Sequence, residues 1–236
     1  MVDTNFTVVS CGWCGWCGCV MAISGGPDIV EDGLVLYLDT ADPNSLPPGQ
    51  SIKDLVTGTA FSGGSYSSTD WANNIIEITI CLWWKKVGNS TSYATWPIHK
   101  FNGDTSRASF VLYHFHNYNS TYPNSEGIMR WYANKAGVWA SITSSYTASL
   151  NETAFTVLQY NASTGGQMWK NNNKIGPRSP GGNLGITGSG YGGIGFTGLT
   201  ESNSTTNVFS ASLYDRELTD DEIIQNYNAT KGRYGL

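Results

Sequence analysis

From residue 33 almost to its end, this chain places apolar residues either at a spacing of two or in continuous runs of strand length. In Ile78-Thr-Ile-Cys-Leu-Trp-Trp84, one face carries Ile78, Ile80, Leu82 and Trp84 and the other carries Thr79, Cys81 and Trp83, because successive side chains of a strand point to opposite sides. Both faces are largely apolar, which predicts a wide strand buried on two sides. Gly33-Leu-Val-Leu-Tyr-Leu-Asp39 is a second run of this kind, and Asp42-Pro43-Asn44-Ser45 then turns the chain. Further strand-like runs cover residues 110–116, 128–132, 138–142, 155–160, 167–170 and 208–214. Their turn-rich spacing predicts an all-β antiparallel sandwich.

Helical periodicity is strongest near the carboxyl end. Thr219-Asp220-Asp221-Glu222 has the form of a capping box ahead of Ile223, Ile224 and Tyr227. Asp220 and Asp221 also stand where the positive end of a helix dipole favours acids. With Gly232 placed to stop it, the pattern predicts one short C-terminal helix packed on the sandwich. A different texture precedes Gly25-Gly26-Pro27: Cys11-Gly-Trp-Cys-Gly-Trp-Cys-Gly-Cys19 is too rich in glycine for a stable helix and too short for a domain. The chain therefore divides into a head of residues 1–26 and a sandwich of residues 27–236.

Composition agrees with this division. A length of 236 residues lies within the range of a single sandwich, and 28 glycines, 13 tyrosines and 9 tryptophans beside only 13% charged residues suit strands with tight turns. The net charge of −5, without a basic run, argues against nucleic acid and anionic membranes as partners. No apolar run reaches the length of a membrane span, and Met1 to Asn5 lack the basic residue of a secretory leader. Seven Asn-x-Ser/Thr triplets follow from a composition rich in Asn, Ser and Thr.

Three segments carry a family resemblance. Gly33–Asp39 with Asp42–Ser45 and Ile52-Lys-Asp-Leu55 resembles the opening strand and loop of concanavalin A-like, laminin G-like jelly rolls. Gln167-Met-Trp-Lys-Asn-Asn-Asn-Lys-Ile175 is similar to their late hairpin, with asparagine in place of the turn glycine. Phe209 to Asn228 resembles their closing strand and short helix. The ending, Asn226 to Leu236, looks like that of jelly-roll proteins from marine and cyanobacterial phages. The resemblance implies the sandwich fold, and by analogy a virion component that is commonly trimeric.

Catalytic chemistry is not expected from these residues. The alternating acids of a glycosidase strand are absent. Asp215-Arg216-Glu217 and Glu31-Asp32 read as solvated acids at strand ends. None of the three histidines stands near a nucleophile motif. His114 and His116, two apart on a strand, share a face but have no third ligand in view, so they read as ordinary sheet-face histidines. Asp39 and Asp42 fall where some laminin G-like domains hold calcium, without the density of acids that would support it. Gly188 to Gly198 lacks the Lys-Ser/Thr of a phosphate loop and reads as a loop and a strand. No cofactor and no metal are expected.

Recognition is better represented. Trp71, Trp96, Tyr118, Tyr122 and Tyr191 lie in loop-like stretches beside Asn and Ser, a composition that suits glycan or protein contact. In the head, Cys11, Trp13, Cys14, Trp16, Cys17 and Cys19 suggest an assembly anchor, with tryptophans as contact area and cysteines as small hydrophobes or cross-links. Metal binding by these thiols is the other reading, though the second ligand pair of a usual site is missing. Cys81, inside a strand, reads as a buried thiol. The expectation is a non-enzymatic phage virion structural protein, made in the host cytoplasm and placed on the particle surface as a capsid decoration or an appendage subunit. Its partners would be other virion proteins, copies of itself and cell-surface glycans. The alternative is a free-standing carbohydrate-binding module or adhesin.

Overall fold

The computed structural model describes residues 28–42, 44–45, 53–58, 65–66, 76–88, 94–101, 110–115, 127–135, 138–184, 191–194 and 206–236. Its strands are β1 (Leu34–Asp39), β2 (Ser65–Tyr66), β3 (Glu77–Lys86), β4 (Ala94–Phe101), β5 (Phe110–Phe115), β6 (Ile128–Lys135), β7 (Val138–Thr147), β8 (Thr153–Asn161), β9 (Gly165–Lys170), β10 (Asn173–Ser179), β11 (Tyr191–Ile194) and β12 (Thr206–Tyr214). Helix α1 (Asp220–Thr230) and a 3-10 turn (Lys231–Tyr234) follow. Sheet 1 has the order β1-β12-β3-β8-β9-β10 and sheet 2 the order β2-β11-β4-β5-β6-β7. All pairings are antiparallel. The protein is an all-β antiparallel sandwich with one short C-terminal helix, as the periodicity predicts.

The main core lies between the sheets. Ile78, Ile80, Leu82 and Trp84 of β3 pack there with Leu158 and Tyr160 of β8, against Ile98, Leu112, Met129 and Trp131 of sheet 2. Trp84 Nε1 donates to Thr156 Oγ1 at 2.9 Å, and the Tyr146 hydroxyl lies 2.7 Å from the same oxygen, so these three polar groups satisfy one another. The two sheets come close at Gly166, where a Cβ would stand 2.0 Å from the Ile142 carbonyl oxygen of β7. Only glycine fits there.

The other face of sheet 1 has its own core. Cys81 and Trp83 of β3, Phe155 and Val157 of β8 and Trp169 of β9 are covered by Leu218 and Ile223 and by Tyr227 and Tyr234 from the helical end. Trp83 is fully buried; its ring lies 5.1 Å from Phe155, 5.8 Å from Tyr227 and 5.0 Å from Tyr234, and its Nε1 donates to Thr230 Oγ1 at 2.7 Å. Both faces of β3 are buried, as its sequence predicts. Burial pushes the Cys81 thiol up to about 12. The segment before β1 is tied into this layer, with Val30 N donating to Asn226 Oδ1 at 2.7 Å and the Tyr214 hydroxyl donating to Val30 O at 3.0 Å.

Helix α1 begins with the expected capping box: Thr219 Oγ1 accepts from Glu222 N, and the Glu222 carboxylate accepts from Thr219 N at 2.8 Å. Its end differs from expectation. Gly232 lies inside the 3-10 turn, and the left-handed residue that closes the helical region is Gly235, at φ +80°. In the hairpin between β9 and β10 the positive φ falls on Asn171, at +57°, and not on Asn172, which stands in the place of the turn glycine.

The sequence reading did not anticipate strands β2 and β4 or the full extent of β10, while β11 falls within Gly188–Gly198, read as a loop and a strand. Pro97 lies within β4, where the register to β5 shifts between Thr95 and Ile98. Pro177 lies within β10, an edge strand whose register to β9 shifts between Ile175 and Ser179. A proline cannot donate to a ladder, and a bulge or a free edge removes the need.

Candidate functional site

Acidic residues are the first place to look for chemistry, and in the described part of the protein most are tied to protein donors. The Asp39 carboxylate, fully buried at the end of β1, accepts from Ala41 N at 2.8 Å, Tyr37 Oη at 3.0 Å, Tyr234 Oη at 2.6 Å and Arg233 Nη1 at 2.7 Å. Its lone pairs are spent on joining β1 to the carboxyl end, which leaves nothing for the calcium role considered for it. Burial, with Asp39 adjacent, pushes the Tyr37 phenol far above its usual range, and burial does the same for Tyr234. Asp54 likewise accepts from Tyr37 N, Val56 N, Thr57 N and Thr57 Oγ1, closing the loop after β1.

Two of the acids at the strand ends, Asp32 and Glu217, are paired, while Glu31 and Asp215 are exposed as expected. Glu217 is paired with Arg178, whose Nη1 also donates to Gly165 O at 2.9 Å, so Glu217 is not the solvated acid expected. Arg216 grips Glu222 with two bonds, of 3.0 Å and 2.6 Å, and reaches Asp32 at 2.9 Å. The Arg216 guanidinium holds the Glu222 carboxyl well below the usual range, at about 2. Among the described residues no group of three or more His, Cys, Asp and Glu side chains forms a metal site.

The residues expected to recognise a partner are only partly placed. Cys11, Trp13, Cys14, Trp16, Cys17 and Cys19 lie outside the described residues, as do Trp71, Tyr118 and Tyr122. Trp96 and Tyr191 were expected in loops; they belong to strands β4 and β11, which are neighbours in sheet 2. His114 stands in β5, paired with Thr95 and Met129, and His116 lies outside the described residues.

The stronger candidate is the outward face of sheet 2. Along β6 burial alternates: Met129, Trp131 and Ala133 are buried in the core, while Ile128, Arg130 and Tyr132 between them are half-buried. On β7, Ser145 pairs with Arg130 and Ser141 with Tyr132, both serines being half-buried as well. Arg130 Nη2 donates to Ser145 Oγ at 3.0 Å, and Ser141 Oγ donates to Thr143 O at 2.9 Å. An aromatic ring, a guanidinium and two hydroxyls thus share a rigid face. None of the four was singled out from the sequence. The signal was present in Ile128-Met-Arg-Trp-Tyr-Ala133, whose period of two separates Arg130 and Tyr132 from the core residues between them.

No protein-family model matches the chain, and no curated protein matches it. Solved structures do. The chain is similar to Trypanosoma rangeli sialidase in complex with sialic acid, at 13% identity and a TM-score of 0.54, over 84% of this chain and 33% of that one. It is similar to the same sialidase in complex with 2,3-difluorosialic acid as a covalent intermediate, at 14% identity and a TM-score of 0.55, over 87% and 34%. It also resembles the receptor-binding domain of botulinum neurotoxin type G, at 11% identity and a TM-score of 0.53, over 83% and 51%. The chain spans about a third of the length of the sialidases and about half of the neurotoxin domain.

These likenesses establish a β-sandwich of the lectin-like kind, the fold expected from the jelly-roll resemblance. They overturn one expectation. A chain without enzymatic activity was inferred from the lack of a glycosidase strand motif, yet the fold is shared with sialidases, which are enzymes. A missing strand motif therefore does not separate this fold from enzymes.

Proposed function

We propose that this chain is a carbohydrate-recognising β-sandwich domain, with the outward face of sheet 2 as its contact surface. The observation that carries the reading is the group formed by Tyr132, Arg130, Ser141 and Ser145 on two adjacent strands. A tyrosine ring covers the apolar face of a sugar, and hydroxyl and guanidinium groups bond its hydroxyls, at little entropic cost because the strands are already rigid. The neighbours add support: one was solved with sialic acid bound and another is a receptor-binding domain. The test is a glycan array probed with the full chain and with Tyr132→Ala. The expected result is retention on a subset of glycans that falls at least tenfold in the variant, while thermal unfolding shifts little. An array without retained glycans, or unchanged retention by Tyr132→Ala, overturns the assignment.

Display on a phage particle is the finer form of this proposal. It rests on the resemblance of residues 226–236 to phage jelly rolls, and the structural neighbours add no support to it. Gln225 Nε2 donates to Asp28 O at 2.8 Å, so the chain enters the sandwich beside α1, on the side of sheet 1. A head attached there to other virion proteins, or to copies of this chain, would leave sheet 2 facing outward. Removal of residues 1–26 is expected to leave a folded sandwich that is lost from purified particles; normal incorporation of the truncated chain overturns the anchoring role.

A further inference from the structure

Arg130 is held differently from the other described arginines. Arg178 is paired with Glu217, Arg216 with Glu222 and Asp32, and Arg233 with Asp39. Arg130 has no acidic partner among the described residues; its one hydrogen bond is from Nη2 to Ser145 Oγ, and its Nε is buried with no acceptor. A buried donor without an acceptor is destabilising. A guanidinium is also a planar fork matched to two carboxylate oxygens. Strand β6 thus presents a guanidinium that no acid among the described residues neutralises, on the same face as Tyr132.

We infer that Arg130 selects glycans that carry a carboxylate, such as sialic or uronic acids, by binding that carboxylate on the outward face of sheet 2. The inference rests on the carbohydrate reading proposed above and names its ligand class. The surroundings favour a monoanionic sugar over a polyanion. The described face offers a single guanidinium and not a basic cluster, and the whole chain carries a net charge of −5, which repels densely charged ligands. Tyr132 supplies a ring, which the apolar face of a sugar uses and an inorganic anion does not.

The test is equilibrium titration of the full chain with a sialic-acid-capped lactose, a glucuronate-capped oligosaccharide and uncapped lactose. The expected result is at least a tenfold preference for one acidic glycan over lactose, weakened by salt. Arg130→Gln is expected to lower acidic binding to the level of lactose. Arg130→Lys keeps the charge without the fork and is expected to recover only part of the preference. If Arg130→Gln fails to unfold cooperatively, Arg130→Lys decides. Equal binding of acidic and neutral glycans by the wild type, or a preference that survives the decisive substitution, overturns the role of Arg130 and leaves the carbohydrate reading standing. Absence of binding to all three, together with an array free of retained glycans, overturns both.

Discussion

Sheet 1 and sheet 2 are built from strands of similar length, yet they differ in what their second face does. In sheet 1, Trp83, Phe155 and Val157 face away from the main core and are buried again beneath α1. In sheet 2 the residues of β6 that face away from the core, Arg130 and Tyr132, stay half-buried. A face dominated by apolar side chains must be covered, and the carboxyl-terminal segment covers it, with Thr79 and Gln159 on that face bonded to the backbone of Leu218. A face that carries a guanidinium, a phenol and hydroxyls can remain in water and meet a ligand. Apolar burial continues on the outer side of sheet 1, and the outer side of sheet 2 is where the proposed recognition would take place.

Four substitutions sharpen or break that comparison, from the largest expected effect to the smallest. Trp83→Ala removes the aromatic centre of the layer under α1 and its bond to Thr230, and it is expected to cost about 3–5 kcal/mol in urea unfolding. A loss below about 1 kcal/mol would show that the helix does little to hold sheet 1. Gly166→Ala forces a methyl group against the Ile142 carbonyl where the sheets meet, with an expected loss of about 1–3 kcal/mol by the same measurement. The third change concerns pH. Because the Glu222 carboxyl is depressed to about 2 in the folded state, its contribution is fully present above about pH 4.5 and is lost as the pH falls toward 2. Both side chains of the Arg216–Glu222 pair are about a quarter exposed, so the contribution should stay below about 1 kcal/mol. Glu222→Gln should accordingly flatten the dependence of stability on pH between 5 and 2, followed by chemical denaturation at each pH. An acid limb as steep in the variant as in the wild type would assign it to other groups. Tyr132→Ala, on the half-buried outward face, should weaken glycan retention at least tenfold at a smaller stability cost than Trp83→Ala. A large stability loss there would make sheet 2 a second load on the fold and remove the contrast.

The fold was legible wherever local pattern decides local structure. Two apolar faces in residues 78–84 meant two cores, and Thr219 with Glu222 meant a capped helix. The misses have physical causes. Strand β4 was hidden by Pro97, which a bulge accommodates, and the extent of β10 beyond Ile175 by Gly176 and Pro177 at the sheet edge. Gly232 looked like a stop, but a 3-10 turn carries the chain on to Gly235, and with that turn Arg233 and Tyr234 reach Asp39.

The site was less legible than the fold. Trp96 and Tyr191 were identified as recognition residues from loop-like composition, and tertiary pairing makes them members of adjacent strands. Arg130 and Tyr132 could be assigned to one face of a strand from their spacing. Nothing in that spacing indicates that Ser145 and Ser141 stand opposite them across a register shift, or that Arg130 alone among the described arginines lacks an acid. The sequence by itself determined which side chains share a strand face and where a helix is capped, because those follow from the period of the backbone over a few residues. Only the tertiary structure decided which faces are covered, which acids neutralise which cations and which polar groups remain free, because those depend on residues brought together from far apart in the chain.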